Sequence, residues 1–230
     1  APGSPRGRSF DDARPARREW RPGSPEARRP GLVVCTSIRF VSRGTVVVVG
    51  GGNAGLCAAL TAQEAGARVV LLEGAPRHLR GGNSRHTRNI RTAHAEADDF
   101  ATGPYLPEEL AADVQALNDD DRNRAMIGLL VEESMTLPDW MTARGVRWQA
   151  PLRGTLHLSR TNHFFLGGGK TLVNAYYRTA ERRGVEIRYD AKVVALDMAG
   201  PRCRAVVVRS KDGDRAVPCD ALVVAAGGFE

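Results

Sequence analysis

Cysteine is scarce in this 230-residue chain: Cys35, Cys57, Cys203 and Cys219 stand far apart, with no Cys-x-x-Cys pair and no histidine at metal-ligand spacing beside them. That excludes a disulfide scaffold and a zinc knuckle, and it favours a reducing, cytoplasmic setting in which the thiols stay isolated. Long apolar runs are also missing. The longest candidate, residues 31–49, is interrupted by Arg39 and Arg43, and it cannot supply the roughly 18–20 apolar residues that a spanning helix needs.

Positive charge is in excess, with a formal net charge of +7, but it is unevenly placed. Residues 1–43 carry ten Lys and Arg against four Asp and Glu, whereas the remainder carries 23 against 22. A basic tail on a nearly neutral body is not the pattern of a nucleic-acid-binding fold, in which positive charge lines a face of the domain itself. The tail is rich in Arg, Pro, Gly and Ser, shows no periodicity, and is expected to be disordered. It has no compact apolar core for a secretory signal, and Asp11, Asp12 and Glu19 argue against a transit peptide.

Order is expected from residue 44 onward, as one domain over 44–230. Thr45 to Val49 is a continuous β-branched run of the kind buried on both faces of a parallel sheet. Asn53 to Ala65 reads as a helix and Arg68 to Leu72 as a second buried strand, giving a βαβ unit that opens a doubly wound, Rossmann-like α/β fold. The stretch from Gly74 to Pro107 reads as irregular. Helical spacing follows over Glu108–Leu117, Arg122–Ser134 and Pro138–Arg144, segments expected to cover the sheet, and again over Thr171–Arg183. Strands are expected at Val185–Ile187, Lys192–Leu196, Ala205–Val208 and Ala216–Pro218, the last three as a small β-meander. Ala221–Ala226 then returns to the parallel sheet.

Chemistry enters at Gly50-Gly51-Gly52-Asn53-Ala54-Gly55, between strand and helix. Gly50 permits the tight turn, Gly52 lets the backbone approach a pyrophosphate, and Gly55 allows close helix–strand packing. The unpaired N–H groups at the helix start and the positive end of its dipole stabilise phosphate charge without a lysine. Glu73 ends the second strand, where its carboxylate can accept hydrogen bonds from both ribose hydroxyls of an adenosine; an acid there disfavours a 2′-phosphate. These features fit FAD and NAD alike.

Gly81-Gly82-Asn83-Ser84-Arg85-His86-Thr87-Arg88-Asn89 is dense in hydrogen-bond donors. Together with the glycine turn, residues 154–163, residues 164–174 and the segment Val223 to Glu230, it resembles the flavoprotein family of fumarate reductases and succinate dehydrogenases. The resemblance covers most of residues 45–230. It implies FAD as cofactor, with flavin contacts falling on Gly50, Gly52, Ala54, Gly55, Glu73, Gly82, Asn83, Ser84, Val193 and Gly227. Val193 would present backbone groups to the adenine. His86 lies near the point where respiratory members attach FAD covalently, but alignment on the following segment places that histidine nearer Asn83, so a non-covalent flavin is implied.

The same resemblance implies a dehydrogenase acting on a carbon–carbon bond of a di- or tricarboxylic acid, with a membrane-associated iron–sulfur protein as electron acceptor. Arg88, Arg91, His157, Arg160 and His163 are the candidates for gripping a small polycarboxylate, because guanidinium forks match carboxylates. Gly167-Gly168-Gly169-Lys170-Thr171 has the end of a P-loop, but Phe164 occupies the position where the motif needs its first glycine, so a nucleotide triphosphatase is excluded. In the resembling family a capping domain with the catalytic acid or base follows the strand ending Ala-Gly-Gly, and the chain is expected to stop short of it. An NAD-dependent enzyme and a non-catalytic flavin module are the alternatives.

Overall fold

The structure is a computed structural model that describes residues 44–117, 123–151, 158–210 and 213–228; residues 1–43, with Cys35, and His157 lie outside the described residues. The chain runs through β1 (Thr45–Val49), α1 (Asn53–Glu64), β2 (Arg68–Leu72) and a 3₁₀ turn (Gly82–His86) to a short strand β3 (Asn89–Arg91). Next come α2 (Pro107–Gln115), α3 (Arg124–Ser134), α4 (Leu137–Thr142), β4 (Asn162–Phe164) and α5 (Gly168–Arg182). The last part is β-rich: β5 (Glu186–Arg188), β6 (Lys192–Ala199), β7 (Arg202–Arg209), β8 (Arg215–Pro218) and β9 (Ala221–Val224).

β1 lies inside a parallel sheet of order β5-β2-β1-β9, with Val47 facing Val70 on one side and Leu222 on the other. Its unbroken valine run follows from burial on both faces. Val46 and Val48 join Val69 and Leu71 in a core with α1 and α5, while Val47, Val70 and Leu72 pack on the opposite face against Val206, Val217 and Cys219. Val47 and Val48 are completely buried, and full burial of such a side chain contributes roughly 1.5–3 kcal/mol. The sheet is therefore sandwiched between helices on one face and the antiparallel β6-β7-β8 meander on the other. This is the Rossmann-like fold with a small meander that the sequence predicts; the meander takes the second face.

Two expectations change. The stretch from residue 74 to 107 is not wholly irregular: it holds the 3₁₀ turn and β3, which pairs antiparallel with β4, Ile90 opposite His163. Three-residue strands whose partner lies more than 70 residues away leave no periodicity to read. The helices expected to cover the sheet also divide. Met141 and Trp140 of α4 do pack on the main core, whereas Leu110 and Ala111 of α2 and Ile127 and Val131 of α3 form a separate cluster with Ala93 and Tyr105.

Candidate functional site

The turn between β1 and α1 opens at the carboxyl edge of the sheet. Gly50 has φ of 102°, and a Cβ there would lie 2.2 Å from Ala225 O, so only glycine lets the turn and the end of β9 coexist. A Cβ on Gly55 would lie 1.8 Å from Gly50 O, which fixes how closely α1 approaches the turn. Gly52 differs: a Cβ would meet only Ser84 Oγ at 3.4 Å and Gly81 O at 3.7 Å. Protein backbone therefore demands glycine at 50 and 55, while the space before Gly52 stays open to a ligand.

α1 has no side-chain cap on its N-terminus. The Asn53 N–H donates to Ser84 Oγ at 2.9 Å. The N–H groups of Gly52, Ala54 and Gly55 meet no protein acceptor among the described residues. Open donors at the positive end of a helix dipole, in front of an unfilled glycine, are what a pyrophosphate requires. The residues present fit a dinucleotide.

Glu73 is nearly buried at the end of β2. Its Oε1 accepts from the Ala75 N–H at 2.9 Å and its Oε2 from the Gly81 N–H at 3.2 Å, tying the second strand to the segment that carries Gly82, Asn83 and Ser84. Tyr177 of α5 completes the tie, with its hydroxyl 3.0 Å from Gly51 O and 3.3 Å from Glu73 Oε2. Burial, and then the Glu73 charge, push the Tyr177 phenol well above its usual pKa, so it stays a donor. Arg80 lies over the Tyr177 ring at 4.2 Å and donates to Tyr189 Oη at 2.7 Å and Asn174 Oδ1 at 3.0 Å.

Sequence reasoning did not single out Gly51, Arg80 or Tyr177. A Cβ on Gly51 would lie 1.9 Å from the Tyr177 hydroxyl, so the second glycine of the run answers to a tyrosine on a distant helix. The triple glycine was the available signal, since the motif itself leaves its second position free. Tyr177 gave none, because in α5 it reads as part of an apolar face.

The other flavin candidates lie around this turn. Gly82 has φ of 49° and opens the 3₁₀ turn, with Asn83 exposed and Ser84 half-buried. The Ala191 N–H bonds to Glu73 O at 2.9 Å, bringing the start of β6 to the end of β2. Val193 follows on β6 at a register shift, where it pairs with Val208 and the next paired residue is Ala195, so a bulge interrupts the ladder. Gly227 has φ of 99° beyond β9, and nothing among the described residues lies within 4 Å of the Cβ it lacks. His86 is exposed.

The substrate candidates do not converge as a set of free cations. Arg91 pairs with Asp113 at 3.1 Å, and Arg160 forks onto Glu109 at 3.0 and 2.5 Å, so two acids of α2 neutralise both. Tyr105 donates to Asp113 at 2.7 Å; burial and that carboxylate push its phenol up to about 12. His163 is buried, with Nδ1 2.8 Å from Thr92 Oγ1 and Nε2 3.1 Å from Asp98 Oδ2. Burial opposes the Asp98 charge, but hydrogen bonds from His163, Phe100 N and Ala101 N outweigh it and hold the carboxyl below its usual range. Arg88 is exposed and makes no ion pair among the described residues.

Comparison with known proteins agrees with this geometry. The sequence profile described as "FAD binding domain" matches residues 45–230. The "Fumarate reductase (cytochrome)" of Shewanella frigidimarina is 29% identical over 191 residues, covering 80% of this chain and 33% of that protein. A vinyl phenol reductase of Lactiplantibacillus plantarum is 27% identical over 197 residues, 80% of this chain and 38% of its own. Among solved structures, a 3-ketosteroid-Δ4-(5α)-dehydrogenase from Rhodococcus jostii RHA1 shares the fold with a TM-score of 0.67 at 21% identity, covering 83% of this chain and 47% of that one. The chain thus spans about a third of the length of the curated relatives it matches.

Proposed function

The chain belongs to the FAD binding domain family and its cofactor is FAD; on that premise we propose that it is the flavin-holding part of a dehydrogenase working across a carbon–carbon bond of a di- or tricarboxylic acid. The single structural observation behind the dinucleotide reading is the turn at residues 50–55, with open helix N–H groups before an unfilled Gly52, and the family match over residues 45–230 makes that dinucleotide FAD. The similarity to a fumarate reductase supports a carboxylate substrate. Within that class we favour tricarballylate, on the motifs at residues 81–89 and 154–163.

When bound, FAD supplies the hydride chemistry across the carbon–carbon bond. The residues of this chain hold and orient. The N–H groups of Gly52, Ala54 and Gly55 grip the pyrophosphate, helped by Ser84, whose oxygen accepts from Asn53 N and whose proton stays free to donate. Gly82 and Asn83 continue that wall, and Val193 and Gly227 border the adenine and flavin ends. Glu73 already accepts two backbone N–H groups and shares the Tyr177 proton. With about four acceptor positions on a carboxylate, we assign it one ribose hydroxyl rather than two.

Of the substrate candidates among the described residues, Arg88 is the cation with its charge still available, and we assign it to a substrate carboxylate. Arg91, Arg160 and His163 instead order the wall on which Arg88 stands, through Asp113, Glu109 and Asp98. Among the described residues no helix is long and apolar enough to cross a membrane. We place the chain in the cytoplasm, passing electrons to a membrane-associated iron–sulfur protein. Anaerobic rapid mixing of the complete FAD-loaded protein with tricarballylate, succinate or fumarate tests the reading. Bleaching or return of the flavin absorbance with one of these acids supports it, and inertness to all three in both redox states sinks it.

A further inference from the structure

A cavity of about 490 Å³ opens on the outer side of the loop before the 3₁₀ turn, lined by Arg77, His78, Arg80, Arg85, Lys170 and Asn174 together with one valine. Among the described residues no carboxylate lines it. Glu181 stands behind, 3.5 Å from Arg77 and 3.9 Å from Arg80, and is the only acid paired with these residues among the described ones. Arg85 and Lys170 have no ion-pair partner there at all.

The floor of this cavity is fixed. Arg80 has a side chain only 13% exposed, held by Tyr189 Oη, Asn174 Oδ1 and the face of Tyr177. Asn174 lines the cavity and accepts from Arg80 through its carbonyl oxygen, so its amide N–H₂ remains a donor without a partner among the described residues. The α5 start adds little, since Gly168 N and Gly169 N already bond to Phe165 O and Thr87 O at 3.0 and 2.7 Å. A wall made of guanidinium, ammonium and amide donors, with its cations largely unneutralised, is complementary to a compact oxyanion and to little else.

The cavity is separate from the dinucleotide turn. Gly81 lies between them: its carbonyl faces Gly52, while the Cβ it lacks would strike Val173 Cγ1 at 2.6 Å on the cavity side. We propose that the cavity between residues 77–85 and α5 is a second anion site, taking a group with two or more negative charges, either a phosphate or a polycarboxylate. This inference does not depend on the redox reading.

Calorimetric titration of the FAD-saturated full chain at low salt, with inorganic phosphate and separately with citrate, tests it. The site predicts saturable one-to-one binding that weakens about a hundredfold, the worth of two charge-assisted hydrogen bonds at about tenfold each, in Lys170→Ala combined with Arg85→Ala. Arg209→Ala, an exposed arginine on β7, serves as the control and should change it less than twofold. Tighter phosphate assigns a phosphoryl ligand and tighter citrate a polycarboxylate. Displacement of the anion by FAD from FAD-free protein, equal weakening by the control, or no saturable heat overturns the site. Failure of FAD itself to bind would count against the cofactor reading and leaves the anion titration of the same chain to be read on its own.

Discussion

The Tyr177 hydroxyl bridges Gly51 O and Glu73 Oε2, at 3.0 and 3.3 Å, and so joins the first glycine turn to the end of β2 from a helix 104 residues further along the chain than Glu73. The two places that a dinucleotide must touch at once, its phosphates and its ribose, are thereby held in one frame. Preorganisation of this kind lowers the ordering cost of binding.

Tyr177→Phe should keep the ring packing and the Arg80 stacking but leave Gly51 O without its side-chain donor and Glu73 Oε2 with the Gly81 N–H alone. Loss of roughly 1–1.5 kcal/mol is expected, weakening FAD about tenfold. Flavin fluorescence titration of the FAD-free variant measures it; unchanged affinity would mean that the tie does not order the site.

Glycine substitutions should separate turn from ligand. Gly55→Ala forces a methyl to 1.8 Å from Gly50 O and should yield misfolded or insoluble protein. Gly52→Ala meets only ordinary contacts in the protein, so circular dichroism should stay native while FAD affinity falls by about tenfold or more, a loss of at least ~1.4 kcal/mol. Equal behaviour of the two variants would remove the distinction.

Acid stability should show the Asp98 network. Its folded pKa is depressed, so its contribution is fully present above the unfolded value of about 3.9 and is lost as pH falls through the lower folded value. Melting temperatures of Asp98→Asn and the unaltered protein should differ at neutral pH and converge in acid. A constant difference across that range would contradict the sign.

The Arg160–Glu109 fork is about 40% exposed on both sides, so screening limits its worth. A double-mutant cycle with Arg160→Ala and Glu109→Ala should give a coupling below about 1 kcal/mol, with FAD affinity unchanged. Loss of FAD on breaking this pair would place the α2 wall in the cofactor site instead.

Much of this was legible in the sequence. The valine run of β1 gave a doubly buried strand because local composition records burial on both faces, and the glycines at 50 and 55 sit where backbone sterics demand them. What the sequence hid was side-chain partnership at long range. Nothing near Arg91 or Arg160 announces that Asp113 and Glu109 neutralise them, since those acids read as the solvated side of a helix. His163 read as a candidate for gripping a polycarboxylate, but β4 carries it into the interior against Thr92 and Asp98. The tie at Tyr177 was invisible for the same reason: helical spacing says which face is buried and not what a polar tip on that face will meet.

The central claim is that the turn at residues 50–55 holds FAD without a covalent bond. Equilibrium titration of the FAD-free full chain with FAD and, separately, with NAD tests it most directly, followed by acid denaturation of the FAD complex. The account predicts saturable FAD binding, much weaker NAD binding and release of all the yellow colour into the supernatant. Tight NAD binding with no FAD binding, or flavin left on the precipitated chain, would contradict it.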